Sequence, residues 1–179
     1  MNPLKKWFQS ISYHKTDDPE KKKVCWLILG KILGNLLFLS DDEENELSKL
    51  DDHDPTILNE IIREFVVPHY RYFLPEDQAK LKTSLAYYLT NDTEKLEWVF
   101  SSLYAPLNDD IAAQFYTIVW QELYGTDNPE PVNPEDYEED CSPTFVNSIF
   151  YRGELVKKYN PEGKKPSIDN IKARLEKQS

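Results

Sequence analysis

The sequence predicts a mainly α-helical single domain, a bundle of about six to eight helices crossed by one acidic, proline-rich loop. Three observations carry this reading. Four consecutive segments between Asp54 and Gly125 repeat apolar residues at helical spacing and are joined by short connections. Each segment follows a start signal of proline or short polar residues. The 179 residues are 40% apolar and include 8 Phe, 11 Tyr and 4 Trp, enough to bury a core without metals or disulfides and too many for a disordered chain.

In chain order, residues 1–19 form an N-terminal amphipathic segment. A short helix over Met1 to Lys15 places Leu4, Trp7, Phe8 and Ile11 on one stripe, and docking on the core accounts for that stripe better than a membrane surface does. Residues 20–125 make the helical core. Val24 to Leu39 is apolar nearly all round, as in a central buried helix. With Lys31 and Asn35 inside it, the run is too short and too polar to span a bilayer, which takes about 20 apolar residues. Its Gly30-x-x-x-Gly34 spacing lets a neighbouring element approach closely. Ser40 and the block Asp41-Asp42-Glu43-Glu44 read as the N-terminus of a polar helical turn, where acids suit the helix dipole.

Asp54-Pro55 pairs a capping aspartate with a first-turn proline, and Ile57, Ile61, Ile62 and Phe65 follow until Pro68 stops or kinks the helix. Pro75-Glu76-Asp77 starts the next, with Leu81, Leu85, Tyr88 and Leu89 on one face. Asn91 or Asp92 caps a third, carrying Leu96, Val99, Phe100 and Leu103. Asn108-Asp109-Asp110 opens a fourth, with Ile111, Phe115, Ile118, Val119 and Leu123, closed by Gly125. The related endings Val99–Ala105 and Val119–Gly125 are two copies at an offset too short for a helix-pair repeat, and reflect similar packing.

Residues 126–143 form the acidic loop: Pro129, Pro131, Pro134 and Pro143 exclude a continuous helix, and acids occur there without a base. Residues 144–179 are a C-terminal helical segment. Ser142-Pro143 favours a helix over 145–159, with a small β-hairpin near 148–156, turning at Arg152-Gly153, as the alternative. Ser167 caps a last basic helix with Ile168, Ile171 and Leu175.

Charge is segregated along the chain. The net charge is −11, but residues 1–31 and 152–179 each carry +4, so the middle of the chain carries −19. Cys25 and Cys141 have neither CxxC nor zinc spacing, and read as a buried packing thiol and an incidental one; counting alone leaves a disulfide open. No secretory signal is legible, so a cytoplasmic location is expected.

Catalytic patterns are missing. The chain has no GxSxG, HExxH, GxGxxG or GxxxxGK[ST] motif, and His14, His53 and His69 stand isolated, as structural or edge histidines do. A calcium loop starting at Asp52 would need Gly and Glu where Ile57 and Arg63 stand. The exposed acid runs lack the apolar walls that tune a catalytic carboxylate. The sequence therefore predicts no enzyme, cofactor or metal. Lysines occur mainly at the two ends, and the acidic body opposes direct binding of nucleic acid.

What the composition favours is a small protein-binding module whose acids attract a basic partner. The expected contact residues are Asp41, Asp42, Glu43 and Glu44, together with Glu135, Asp136, Tyr137, Glu138, Glu139 and Asp140, where tyrosine supplies an anchor among charges. An immunity or inhibitor protein that masks a nucleic-acid-handling enzyme or toxin would have this character. The alternative is a helical adaptor that binds through apolar grooves and its 152–179 segment.

Overall fold

The apolar run beginning at Val24 lies at the centre of the fold, but it is not one helix. In the computed structural model, which describes residues 20–178, it is divided into a strand β1 (Lys22–Val24), a 3-10 turn (Trp26–Leu29), a single α-helical turn α1 (Gly30–Leu33) and a second 3-10 turn (Gly34–Phe38). Gly34 causes the main break. Its φ of +52° is left-handed, and a Cβ added there would overlap the His69 ring. The close approach expected at the two glycines is present, with Leu103 packed onto Gly30 and His69 onto Gly34. Burial of the run is nearly complete: Cys25, Ile28, Leu29, Ile32, Leu33 and Leu36 are all buried. The expected helix over Met1 to Lys15 lies outside the described residues.

Around this run the helices follow their local signals. Helix α2 (Asp41–Leu47) begins with a capping box, in which Ser40 N–H donates to Glu43 Oε2 at 2.8 Å and Glu43 N–H returns to Ser40 Oγ. Helix α3 (Pro55–Ile61) is capped by Asp54, whose Oδ1 accepts from Thr56 N–H at 2.8 Å. Pro68 does not stop it. A π turn (Ile62–Val66), in which Val67 N–H reaches back to the Ile62 carbonyl, widens the ladder just before the proline, and the chain continues as α4 (Val67–Tyr70). The extra residue absorbs the donor that proline lacks.

Helices α5 (Pro75–Asn91), α6 (Glu94–Leu103) and α7 (Ala112–Tyr124) complete the core. Asn91 belongs to α5 rather than capping α6, which starts after Thr93. Gly125 closes α7 at a φ of +72°, as expected. Phe100, Phe115 and Tyr116 meet edge to face between α6 and α7, with ring centroids 5.1 to 5.8 Å apart.

The acidic loop is tied down. A 3-10 turn (Pro134–Asp136) leads into β2 (Tyr137–Glu139), which runs parallel to β1 with Lys22 opposite Tyr137, Lys23 opposite Glu138 and Val24 opposite Glu139. Asp140 N–H then donates to the Val24 carbonyl at 2.9 Å, and Cys141 forms a disulfide with Cys25. The two cysteines are therefore neither a packing thiol nor an incidental one. Beyond them come α8 (Pro143–Ser148), capped by Ser142, and α9 (Gly153–Tyr159). Between them Ile149 and Arg152 are extended, because Ile149 fills the core and Arg152 N–H donates to the Tyr72 carbonyl at 2.8 Å. The stretch is helical on both sides of this link, and no hairpin forms over 148–156. The last helix, α10 (Ile168–Gln178), packs against α3 and α2.

Two stability outcomes follow from these links. Gly34→Ala should cost about 2–4 kcal/mol, combining a strained φ with overpacking on His69, whereas Gly125→Ala, with open space at its Cβ, should cost only about 1 kcal/mol. Urea titration of both variants measures the difference. The disulfide spans 116 positions, so its reduction should destabilise the fold by about 2–5 kcal/mol. Thiol titration under denaturing conditions should find reactive cysteines only after reduction.

Candidate functional site

The structure separates the acids expected at the interface into two groups on different elements. Asp41, Asp42 and Glu44 are exposed at the start of α2 and form no ion pair among the described residues, while Glu43 is occupied by the capping box. The second group divides further. Glu135 and Asp136 are exposed, as are Asp127 and Glu130 upstream, and none of the four enters an ion pair among the described residues. Tyr137 and Glu138 are half-buried, with Tyr137 against the Tyr87 ring and under Lys22 Nζ at 5.6 Å. Glu139 accepts from the Tyr88 hydroxyl at 2.6 Å, and burial, with Glu139 beside it, pushes the Tyr88 phenol up. Asp140 is buried and paired with Lys23 at 3.2 Å. The half of the strip from Tyr137 to Asp140 holds the segment in place, and the half from Asp127 to Asp136 meets solvent.

Several basic residues near the C-terminus are neutralised by acids of the body. Arg174 bridges Glu60 and Glu64, and Lys172 bridges Glu46. Burial pushes the Glu64 carboxyl up, but hydrogen bonds from Asn170, Arg174 and Ser167 N–H outweigh it and hold the group below the usual carboxylate range. Hydrogen bonds from Lys172 and Lys49 hold Glu46 down at about 2. These lysines and arginines are scaffold pairs rather than a free basic patch.

A feature the sequence did not reveal lies on the other side of Gly34. Two adjoining cavities of about 570 and 310 Å³ share Phe38, His69 and Tyr151 and form a groove open to solvent. Phe38, expected inside the central helix, is 83% exposed at the rim, because the second 3-10 turn rotates it outward. Residues 150–170 form the facing wall, with Tyr151 57% exposed. His69 at the floor is buried and meets the rings of Tyr72, Phe73 and Tyr151 edge-on at 5.4 to 5.8 Å. Burial lowers its pKa to about 4, and a hydrogen bond with the Lys31 backbone opposes this only in part. Its neutral imidazole is therefore part of an apolar floor. The sequence offered one signal for this groove, the glycine at position 34, whose partner 35 positions away no local pattern identifies.

The other described histidine, His53, is exposed beside Asp51, Asp52 and Asp110. Its pKa is raised, first by hydrogen bonding to Asp110. Asp51, Asp52 and His53 bring ligand-type atoms within 4.8 Å of one another, but Asp52 is occupied by Asn108, whose N–H and Nδ2 donate at 2.9 and 2.7 Å. That bonding fixes the 51–54 turn to the segment that leads into α7 and gives Asp52 a structural role. Neither histidine is hydrogen-bonded to a hydroxyl or thiol among the described residues. No helix among the described residues is long and apolar enough to cross a membrane. Compared with known proteins, the chain matches no family model, none of the curated proteins and none of the solved structures.

The buried imidazole gives a pH dependence of known sign. His69 has a folded pKa near 4 against 6.5 unfolded, so the unfolded chain binds the extra proton first. The contribution of His69 is complete above pH 6.5 and is lost as pH falls from 6.5 to about 4, amounting to roughly 3 kcal/mol. Urea titration across that window should show the loss in the native chain and a flatter profile in His69→Asn, whatever the variant's stability at neutral pH. Loss through the paired carboxylates belongs to lower pH and should persist in both.

Proposed function

We propose that this protein is a non-catalytic binding module whose acidic strip engages a basic protein, in the manner of an inhibitor or immunity protein that masks a nucleic-acid-handling enzyme or toxin. The observation that carries this reading is the anchoring of the strip. Strand pairing, the Lys23–Asp140 bridge and the Cys25–Cys141 disulfide fix one end of the segment, so Asp127, Glu130, Glu135 and Asp136 are displayed on an ordered backbone. A preorganised charged surface loses less entropy on association than a mobile tail does, and its field raises the encounter rate with a cation. The exposed acids at the start of α2 add to that field without sharing its scaffold.

The disulfide also bears on location. Such bonds persist in oxidising compartments and are rare in the cytosol, so the reading places the protein and its partner outside the reducing cytoplasm that the sequence led us to expect. The adaptor alternative draws support from the solvent-exposed Phe38, Phe150, Tyr151 and Tyr159, since contiguous exposed apolar groups favour protein contacts.

A lysine- and arginine-rich peptide labelled with fluorescein tests the acidic strip. Its binding should weaken steeply as salt rises, and the combined variant Asp127→Asn, Glu130→Gln, Glu135→Gln and Asp136→Asn should associate about tenfold more slowly with helix content intact. A flat salt response, or unchanged association by the neutralised strip, would remove this reading.

A further inference from the structure

We propose that the groove floored by His69 docks an acidic peptide segment bearing aromatic or aliphatic side chains. This inference is independent of the acidic strip and concerns a partner of opposite charge. Three observations carry it: the local charge, the apolar surface and a set of unpaired polar groups.

The sign of charge reverses at the groove. In a chain of net charge −11, the charged residues lining the two cavities are Lys31, Lys164, Lys165 and Glu64. Glu64 is already occupied by Arg174, Asn170 and Ser167 N–H. Lys164 is paired with Glu162, whereas Lys31 and Lys165 enter no ion pair within 4.0 Å among the described residues, Lys165 feeling the Glu43 carboxylate only at longer range. Lys31 is also partly desolvated, and burial holds its pKa below the usual lysine value against the pull of Asp77. A partly buried, unbridged ammonium beside apolar walls favours a carboxylate that would share that desolvation.

The apolar surface coincides with this cationic region. Phe38, Phe150, Tyr151, Tyr159 and Leu103 are all exposed, and all line one of the two cavities. Gly30 and Gly34 keep the floor low by admitting Leu103 and His69 directly onto the backbone. An occupant must therefore bring apolar side chains as well as negative charge.

The polar groups distinguish a peptide from a lipid. The Asn35 amide and the Tyr72 and Tyr151 hydroxyls line the cavities and have no hydrogen-bond partner within the protein among the described residues. Spread along an open groove, they suit the alternating donors and acceptors of an extended backbone. An acyl chain would leave them without partners and would favour an enclosed, dry cavity.

The test uses the full-length chain and a fluorescein-labelled peptide alternating glutamate with phenylalanine and leucine, read by fluorescence anisotropy at low salt. Saturable binding is expected, weakened about tenfold by Lys165→Glu and by Tyr151→Ser, with each variant's fold checked by thermal melting in circular dichroism. Lys31→Gln gives a second variant that removes charge without introducing repulsion, and it should weaken binding in the same direction. The strip variant should bind this peptide normally, which separates failure of one surface from failure of the other. The proposal is overturned if the acidic peptide does not saturate, or if a peptide with lysine in place of glutamate binds equally. It is also overturned if oleate vesicles alone are retained, or if Tyr151→Ser abolishes only self-association of the chain.

Discussion

A backbone enclosed in a core must find partners for all its polar groups, and the run from Val24 to Leu36 meets this constraint without being one helix. A continuous α-helix would satisfy itself, whereas the breaks at Cys25 and Gly34 leave donors and acceptors inside the core. Each unmade bond there costs about 1–3 kcal/mol. The surroundings supply what is missing: Ser84 Oγ accepts from Cys25 N–H, the Tyr116 hydroxyl donates to the Leu29 carbonyl, and Asp140 N–H donates to the Val24 carbonyl. This accounts for a serine buried on α5 between Leu81, Leu85 and Tyr88, and for a tyrosine wholly enclosed on α7. Ser84 and Tyr116 thus serve the broken run.

The same constraint explains how the acidic segment comes to be ordered. Edge backbone at β1 needs a strand beside it, and β2 is the piece of the acidic segment that supplies it. Pairing brings carboxylates up to the core, and Asp140 is buried there. Glu139 is met there by Tyr88, and Asp140 by Lys23. The covalent bond at Cys141 then follows immediately along the chain. At the sheet Glu139 and Asp140 are compensated while Glu138 keeps one buried oxygen without a hydrogen bond, and the acids farther along, from Asp127 to Asp136, keep their charge for solvent.

What was legible in the sequence is what closes over a few residues. The helix start at Ser40, the Asp54-Pro55 start, the Gly125 stop and the Ser167 cap all appear where single-residue chemistry places them, and the helical class follows from spacing alone. Contacts between distant positions were not legible. Nothing local in Val24 to Leu39 shows that His69 will occupy the side-chain space of Gly34, or that Lys22 will face Tyr137. The helix expected there was apolar enough, but its continuity depended on a residue 35 positions away. The cysteines failed as evidence for the same reason, since composition counts them and does not pair them. Asp140, which its acidic neighbours place among the contact residues, is buried and paired with Lys23, whereas Phe38, which the apolar run places in the core, is exposed.

Glu64 connects the C-terminal helix to the electrostatics of the groove. It accepts from Ser167 N–H and Asn170 at the start of α10 and from Arg174 one turn further on, and with Glu60 and Glu46 it holds that helix against α3 and α2. It is also the one acid among the residues lining the two cavities. Pairing it with Arg174 removes its negative charge from the groove while Lys31 and Lys165 keep theirs. One of the ion pairs that dock the last helix thus also keeps the single acid of the groove lining occupied. Had Glu64 been left unpaired, its charge would have offset one of those lysines, and the groove would have had little preference for a carboxylate.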